Sequence, residues 1–241
     1  MFTIVCCYNN KQILDDFLLD SLKDQTKEHQ LLLIDNTANE FSSVAKAYNR
    51  VLSKIEGECV LFCHQDIHLK DSNLLEKIEE VLASRKNALV GLCGIDKTAT
   101  VYSNLKYKDN DQYITRNRAD QIVEVESVDE CIFGMSKELL DSVGAFDEDV
   151  CDNWHLYATD YSFRVKQKGG EVLVLPFECY HKSDNTNESI TDKNYLSTLR
   201  KIRNKYKGEM KKIYSTCYVV GTGCLSFNFK ILKTSIKNKL R

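Results

Sequence analysis

A single proline, Pro176, stands in the whole chain, so a proline-rich linker is excluded and hard breaks in secondary structure are few. No apolar run approaches the roughly 18 residues that a membrane-crossing helix needs, so no transmembrane span is expected. The segment Met1-Phe2-Thr3-Ile4-Val5 has neither a basic stretch nor a long apolar core, and no signal peptide is expected. Glycine is sparse and badly spaced for phosphate cradles. There is no G-x-G-x-x-G after the first apolar segment and no G-x-x-x-x-G-K-[ST], which disfavours dinucleotide oxidoreductases and P-loop nucleotidases. A G-x-S-x-G elbow is also missing. Any phosphate bound here has to be neutralised by side chains and a metal. Internal repeats and low-complexity segments are absent.

What is present suffices for a sizeable core: 43% of the 241 residues are apolar, consistent with one α/β domain, alone or with an appendage. The net charge of −2 hides a strong asymmetry. From Lys193 onward 13 Lys and Arg face one acidic residue, Glu209, giving +12 and leaving −14 on residues 1–192. A division follows: a domain over residues 1–192 and a basic, mainly helical extension over 193–241. The extension is suited to an anionic membrane surface, to nucleic acid or to the acidic body of its own chain. The cysteines are expected as reduced cytosolic thiols, which implies a cytoplasmic protein. Cys6, Cys59, Cys63 and Cys93 lie inside apolar runs and read as small core residues. Cys59-x-x-x-Cys63-His64 has the form of a zinc half-site, but no partner pair with finger-like spacing follows it.

The first 95 residues alternate between two periodicities. Phe2–Cys7, Gln30–Ile34, Cys59–Cys63 and Ala88–Ile95 are near-continuous apolar strands. Between them, Ile13, Leu14, Phe17, Leu18 and Leu22 recur at helical spacing. So do Val44, Ala47, Tyr48, Val51, Leu52 and Ile55, and then Leu74, Leu75, Ile78, Val81 and Leu82, with Asp71 as expected N-cap. This rhythm implies a parallel sheet covered on both faces. Residues 97–120 are polar and read as a long excursion over the sheet's carboxyl edge. Ser136 is expected to cap a helix ended by Gly144. A further helix is expected over Tyr157–Gln167, a strand over Val172–Leu175 and a basic helix over Tyr195–Tyr206. In the tail, Leu225, Phe229, Leu232, Ile236 and Leu240 share one helical face, with Lys230, Lys233, Lys237 and Arg241 off it. That pattern fits a helix lying on a membrane or one packed on the domain.

Three strands end in polar residues: Tyr8-Asn9-Asn10, Asp35-Asn36 and His64-Gln65-Asp66. Open α/β sheets bind ligands beyond the carboxyl ends of their strands. Each group has an ordinary explanation as a turn or helix cap. Their convergence on one edge favours a shared cleft, where Asp66 beside His64 suits a divalent ion and Asp35-Asn36 a ribose or base. Asp160 falls in the first turn of its helix, where the dipole favours a carboxylate and where a cleft-facing acid can serve as general base. Trp154, the only tryptophan, suits either the core or the face of a sugar.

In this order, Tyr8-Asn9, Ile34-Asp35-Asn36, Ala47-Tyr48-Asn49, Phe62-Cys63-His64-Gln65-Asp66, Gly144-Ala145-Phe146-Asp147-Glu148 and Thr159-Asp160-Tyr161-Ser162-Phe163-Arg164 resemble family 2 glycosyltransferases. The likeness spans roughly residues 2–182 and is to a bacterial branch with His-Gln-Asp in place of Asp-x-Asp. The resemblance implies a GT-A fold, a three-layer sandwich with a mainly parallel central sheet. It also implies a nucleoside-diphosphate-sugar donor (a UDP-sugar favoured), Mn²⁺ or Mg²⁺, and inversion at the anomeric carbon. It assigns Tyr8, Asn10, Asp35, Asn36, Asn49, Gln65 and Asp66 to the nucleotide sugar. Asp66, His64 and His181 fall to the metal, Trp154 and His155 to the acceptor, and Asp160 to the catalytic base. The acceptor implied is a saccharide or lipid-linked hydroxyl in surface polysaccharide or glycoconjugate synthesis, at the inner face of a membrane and without nucleic acid. The chain departs from the pattern at His64, Tyr48 and Thr159, and it lacks the Gln-x-x-Arg-Trp of processive synthases. Those departures leave an alternative in place: a non-catalytic nucleotide-sugar-binding partner subunit of another glycosyltransferase.

Overall fold

The computed structural model describes residues 1–182 and 193–223. The amphipathic pattern from Leu225 to Leu240 lies outside the described residues. In chain order the elements begin with β1 (Phe2–Tyr8) and a helical run in which α1 (Lys11–Leu14) and α2 (Asp20–Leu22) flank a π-type turn at Asp15–Leu19. They continue with β2 (His29–Asp35), α3 (Val44–Asn49), β3 (Cys59–Cys63), β4 (Ile67–Leu69) and α4 (Leu74–Ser84). Then come β5 (Ala88–Gly91), β6 (Cys93–Ile95), β7 (Val101–Ser103), β8 (Leu105–Lys106), β9 (Val123–Glu124) and β10 (Ser127–Val128). The chain proceeds through β11 (Ile132–Ser136), α5 (Lys137–Val143), α6 (Tyr157–Gln167), β12 (Glu171–Val174) and β13 (Cys179–His181). The last are α7 (Lys193–Tyr206), β14 (Lys212–Tyr214) and β15 (Val219–Gly221).

The central sheet has seven strands in the order β2-β1-β3-β11-β5-β12-β9. β1 runs parallel to β2 and β3, and β12 parallel to β5, whereas β11 is inserted antiparallel between β3 and β5. The expected single strand over Ala88–Ile95 is two, because after Gly91 the chain leaves the central sheet and β6 pairs with β7 and β10 instead. The excursion over residues 97–120 contributes β8 to a small sheet with β4 and β13. Asp71 does not cap α4. Asn73 precedes the helix, and Asp71 takes Lys77 at 2.8 Å instead. Ser136 caps α5 as expected, accepting from the Leu139 N–H at 3.0 Å, and Gly144 closes it at φ 85°.

Strand period places alternate residues on opposite faces. Val5, Val60 and Phe62 join Tyr48, Phe133, Phe146 and Tyr157 under α3, α5 and α6. Ile4, Cys6, Leu61 and Cys63 join Leu14, Leu18, Leu75 and Ile78 under the opposite helices. The cysteines singled out as core residues are buried. Phe62 anchors an aromatic cluster, with ring centroids 4.9 Å from Tyr48 and 5.2 Å from both Phe133 and Phe146. The basic helix α7 packs on this body through a third cluster of Leu156, Phe163, Tyr195, Leu199, Ile202 and Tyr206. Phe62→Ala is expected to destabilise the fold by about 3–5 kcal/mol, the range for emptying a packed aromatic site, measured by urea unfolding.

Candidate active site

β1 and β3 end together, and so does their neighbour β2. Beyond this edge lies a cleft of about 310 Å³ lined by Tyr8, Asn36, His64, Gln65, Asp66, Glu130, Trp154, His155 and Tyr157. A larger groove of about 500 Å³, lined by Glu58, Glu79, Lys86 and Ser136, opens at the opposite edge where β3 begins and β11 ends. It carries none of the strand-end residues.

The turn between β3 and β4 fixes the metal-type cluster. His181 pairs with Ile67 in the β13–β4 register, which sets it beside Asp66. His181 Nε2 is 3.4 Å and His64 Nδ1 3.9 Å from the Asp66 carboxylate. One ligand atom from each of the three lies within 4.8 Å of the others. Burial works against the Asp66 charge, but the His181 hydrogen bond and the two imidazoles outweigh it and hold the carboxyl below its usual range. Burial depresses the His64 pKa, favouring the neutral ring that a metal needs. Two imidazoles and a carboxylate suit a borderline divalent ion better than Mg²⁺, which prefers oxygen ligands.

Gln65 acts on the neighbouring loop. Its Oε1 accepts the Asn9 and Asn10 N–H groups at 3.0 and 2.9 Å, and its Nε2 donates to Asn9 Oδ1 at 2.8 Å. Asn10 caps α1 through the Ile13 N–H. Asp35 accepts from the Thr37 N–H and hydroxyl at 2.8 and 2.7 Å, and these bonds, with that from Tyr8, lower its pKa. Asn36 is buried, with its amide spent on the Phe41 backbone. Trp154 is 39% exposed beside the cleft, and the His155 ring lies against Tyr195 at 5.5 Å.

Asn10, Asp35, Asn49, His181 and Asp160 are not in the cleft lining, although Asn10, Asp35 and His181 bond or pair with residues that are. Asn49 pins the loop after α5, donating to the Phe146 carbonyl at 2.9 Å and Glu148 at 2.8 Å while accepting from the Phe146 N–H. Asp160, the expected base, does not line the cleft. Its side chain is 2% exposed and accepts from Lys205 Nζ at 2.8 Å and the Tyr206 hydroxyl at 2.9 Å. Lys205 also bonds Asp147 at 2.8 Å. α7 therefore encloses this carboxylate.

Glu130 is the cleft residue that sequence reasoning missed. Its side chain is 13% exposed. Burial, and then the charge of Asp129, push its carboxyl up to about 8, against the pull of the Leu156 N–H at 3.2 Å. The signal was an acidic pair, Asp129-Glu130, directly before the buried run Cys131-Ile132-Phe133.

The model of a family described as "Glycosyltransferase like family" matches residues 3–206. A Fuscovulum blasticum protein described as "ATP synthase subunits region ORF 6" is 25% identical over 221 residues, covering 84% of this chain and 82% of that one. Among solved structures, GalNAc-T7 with UDP, GalNAc and Mn²⁺ superposes with a TM-score of 0.60 at 13% identity over 86% of this chain. The mannosyltransferase PcManGT of Pyrobaculum calidifontis with GDP-Man and Mn²⁺ gives 0.60 at 14% identity over 87%. S. aureus TarS 1–349 with UDP-GlcNAc gives 0.59 at 14% identity over 85%. The chain spans 50%, 65% and 66% of those three structures, respectively. The likeness shows a GT-A fold.

Lys205→Ala is expected to cost about 3 kcal/mol in urea unfolding, the low end for breaking a buried pair, because it leaves the Asp160 carboxylate without its cation. Asp160→Asn is expected to lower the urea unfolding midpoint by removing the charge that Lys205 pairs with.

Proposed function

The chain belongs to the glycosyltransferase-like family, and from that premise we propose that it transfers one sugar from a nucleoside-diphosphate-sugar, a UDP-sugar first, to a hydroxyl. The acceptor is a saccharide or a lipid-linked saccharide, and the anomeric carbon inverts. The observation that carries this reading is the meeting of the β1, β2 and β3 ends with the His64–Asp66–His181 cluster at one cleft. Tyr8 and Asp35 stand where a ribose or base would be received. His64, Asp66 and His181 would hold Mn²⁺, which would offset charge growing on the leaving diphosphate. With no glycine-rich cradle in the chain, the diphosphate would depend on that ion. Trp154 offers a flat apolar face at the rim, suited to a sugar ring.

A role in surface polysaccharide or glycoconjugate synthesis at the inner face of a membrane is part of the same reading. Among the described residues no helix is long and apolar enough to cross a membrane. The exposed Arg200, Lys207, Lys211 and Lys212 give α7 and its successor a positive surface toward anionic headgroups. A second reading, nucleotide-sugar binding without transfer, is favoured by the enclosure of Asp160. Release of nucleoside diphosphate from a donor without acceptor separates the two.

A panel of UDP- and GDP-sugars with Mn²⁺ is the direct test. At about 100 times its dissociation constant, the true donor stabilises a protein of this size by about 2.7 kcal/mol, or about 5–10 °C in thermal midpoint. Asp66→Ala and chelation each abolish the Mn²⁺-dependent part of that shift. A flat panel at saturating concentrations overturns the reading.

A further inference from the structure

The cleft needs a group that can take a proton from the incoming hydroxyl, and Asp160 is enclosed by Lys205 and Tyr206. We propose that Glu130 is that group, the general base of the transfer; the inference rests on the reading above. Three features of the site support it.

The first is position. Glu130 lines the cleft together with Trp154 and His155, the residues at the acceptor rim. His64 donates its N–H to the Cys131 carbonyl at 2.9 Å, and the Tyr157 hydroxyl reaches both His64 Nε2 at 3.1 Å and the Glu130 carbonyl at 3.3 Å. The segment carrying Glu130 is thus tied to the strand end that carries the metal-type cluster.

The second is orientation. Leu156 has φ 65°, in the left-handed region that a leucine rarely occupies. Such a conformation is strained and persists where its surroundings enforce it. Here it starts α6 and directs the Leu156 N–H onto Glu130 Oε1. The Leu156 N–H holds Oε1, and the proton is assigned to Oε2.

The third is seclusion. Burial raises the basicity of a carboxylate toward the pH at which a general base works best. The groups facing Glu130 are Asp129, whose charge opposes ionisation, His155 with Nδ1 3.9 Å away, the Leu156 N–H, and the buried Tyr157 and Cys131. The first of these acts with burial to keep the carboxyl poised near neutrality rather than fully ionised.

The step balances. The acceptor O–H bond breaks and its proton passes to Glu130 Oε2. The acceptor oxygen forms the new bond to the anomeric carbon, and the bond from that carbon to the diphosphate oxygen breaks, its electron pair leaving with the nucleoside diphosphate.

The test uses the full chain, Mn²⁺ and each of UDP-N-acetylglucosamine, UDP-galactose and GDP-mannose, with water in place of the acceptor. The readouts are nucleoside diphosphate release and thermal midpoint. Glu130→Gln is expected to lower turnover by about 10²–10⁴-fold while the donor-induced midpoint shift is unchanged. Wild-type turnover is expected to rise through pH about 8 and then level, and the variant to lose that limb. A substrate-free measurement adds a second check. A carboxyl raised from 4.5 to about 8 by folding contributes stability that is full below pH 4.5 and lost as pH rises through about 8. The wild-type midpoint should fall across that window more than that of Glu130→Gln. Wild-type turnover in the variant, or parallel midpoint curves, overturns the assignment and leaves the transferase reading standing. A donor panel that stabilises nothing overturns that reading and this inference with it.

Discussion

The antiparallel pairing of β11 with β3 is the constraint on which the cleft depends. Ile132 sits opposite Cys63 and Ser136 opposite Cys59, so the start of β11 and the end of β3 share one edge of the sheet. That register brings Asp129 and Glu130 beside His64, Gln65 and Asp66, and it stacks Phe133 on Phe62 beneath them with an interplanar angle of 20°. A slip of one residue would turn every side chain of β11 to the other face and remove both the aromatic floor and the acidic wall. The close approach leaves no room at Gly134, where a Cβ would stand 2.8 Å from the Val60 carbonyl.

Three acidic residues illustrate how environment assigns different roles to one functional group. Asp66 stays ionised between two imidazoles. Glu130 is secluded beside another carboxylate, and burial, then the charge of Asp129, push its carboxyl up to about 8 against the pull of backbone N–H groups. Asp160 is deeper than either yet is met by an ammonium and a phenol from α7. The last pair anchors the basic helix to the domain. In part, the strongly positive extension and the negative body are each other's counterions: Lys205 bonds Asp147 and Asp160, and Lys201 bonds Asp152 at 2.6 Å. Removing Lys205 costs more than its pairing contributes, because the buried Asp160 is left without its cation.

Much of the cleft was legible in the strand ends. Tyr8, Asn36 and the His64-Gln65-Asp66 turn could be placed at one edge because consecutive parallel strands point the same way. His181 came only from resemblance, and it meets Asp66 through the β13–β4 register. Asn49 and Asp160 are both satisfied away from the cleft lining, for a common reason. A motif gives the residue and its element but not the direction in which the side chain is satisfied, and in both cases a distant segment, the loop at Phe146–Glu148 or α7, took the hydrogen bonds.

The sequence by itself determined the strongly periodic elements, since periodicity of 2 and 3.6 is written locally: α6 matches its expected span, and Ser136 and Gly144 bound α5 as capping chemistry requires. Only the tertiary structure decided that β11 runs against its neighbours, that Gly91 ends one sheet and Cys93 begins another, and that Glu130 rather than Asp160 faces the cleft. Strand direction and side-chain satisfaction depend on contacts between residues far apart in the chain, and no local pattern records them.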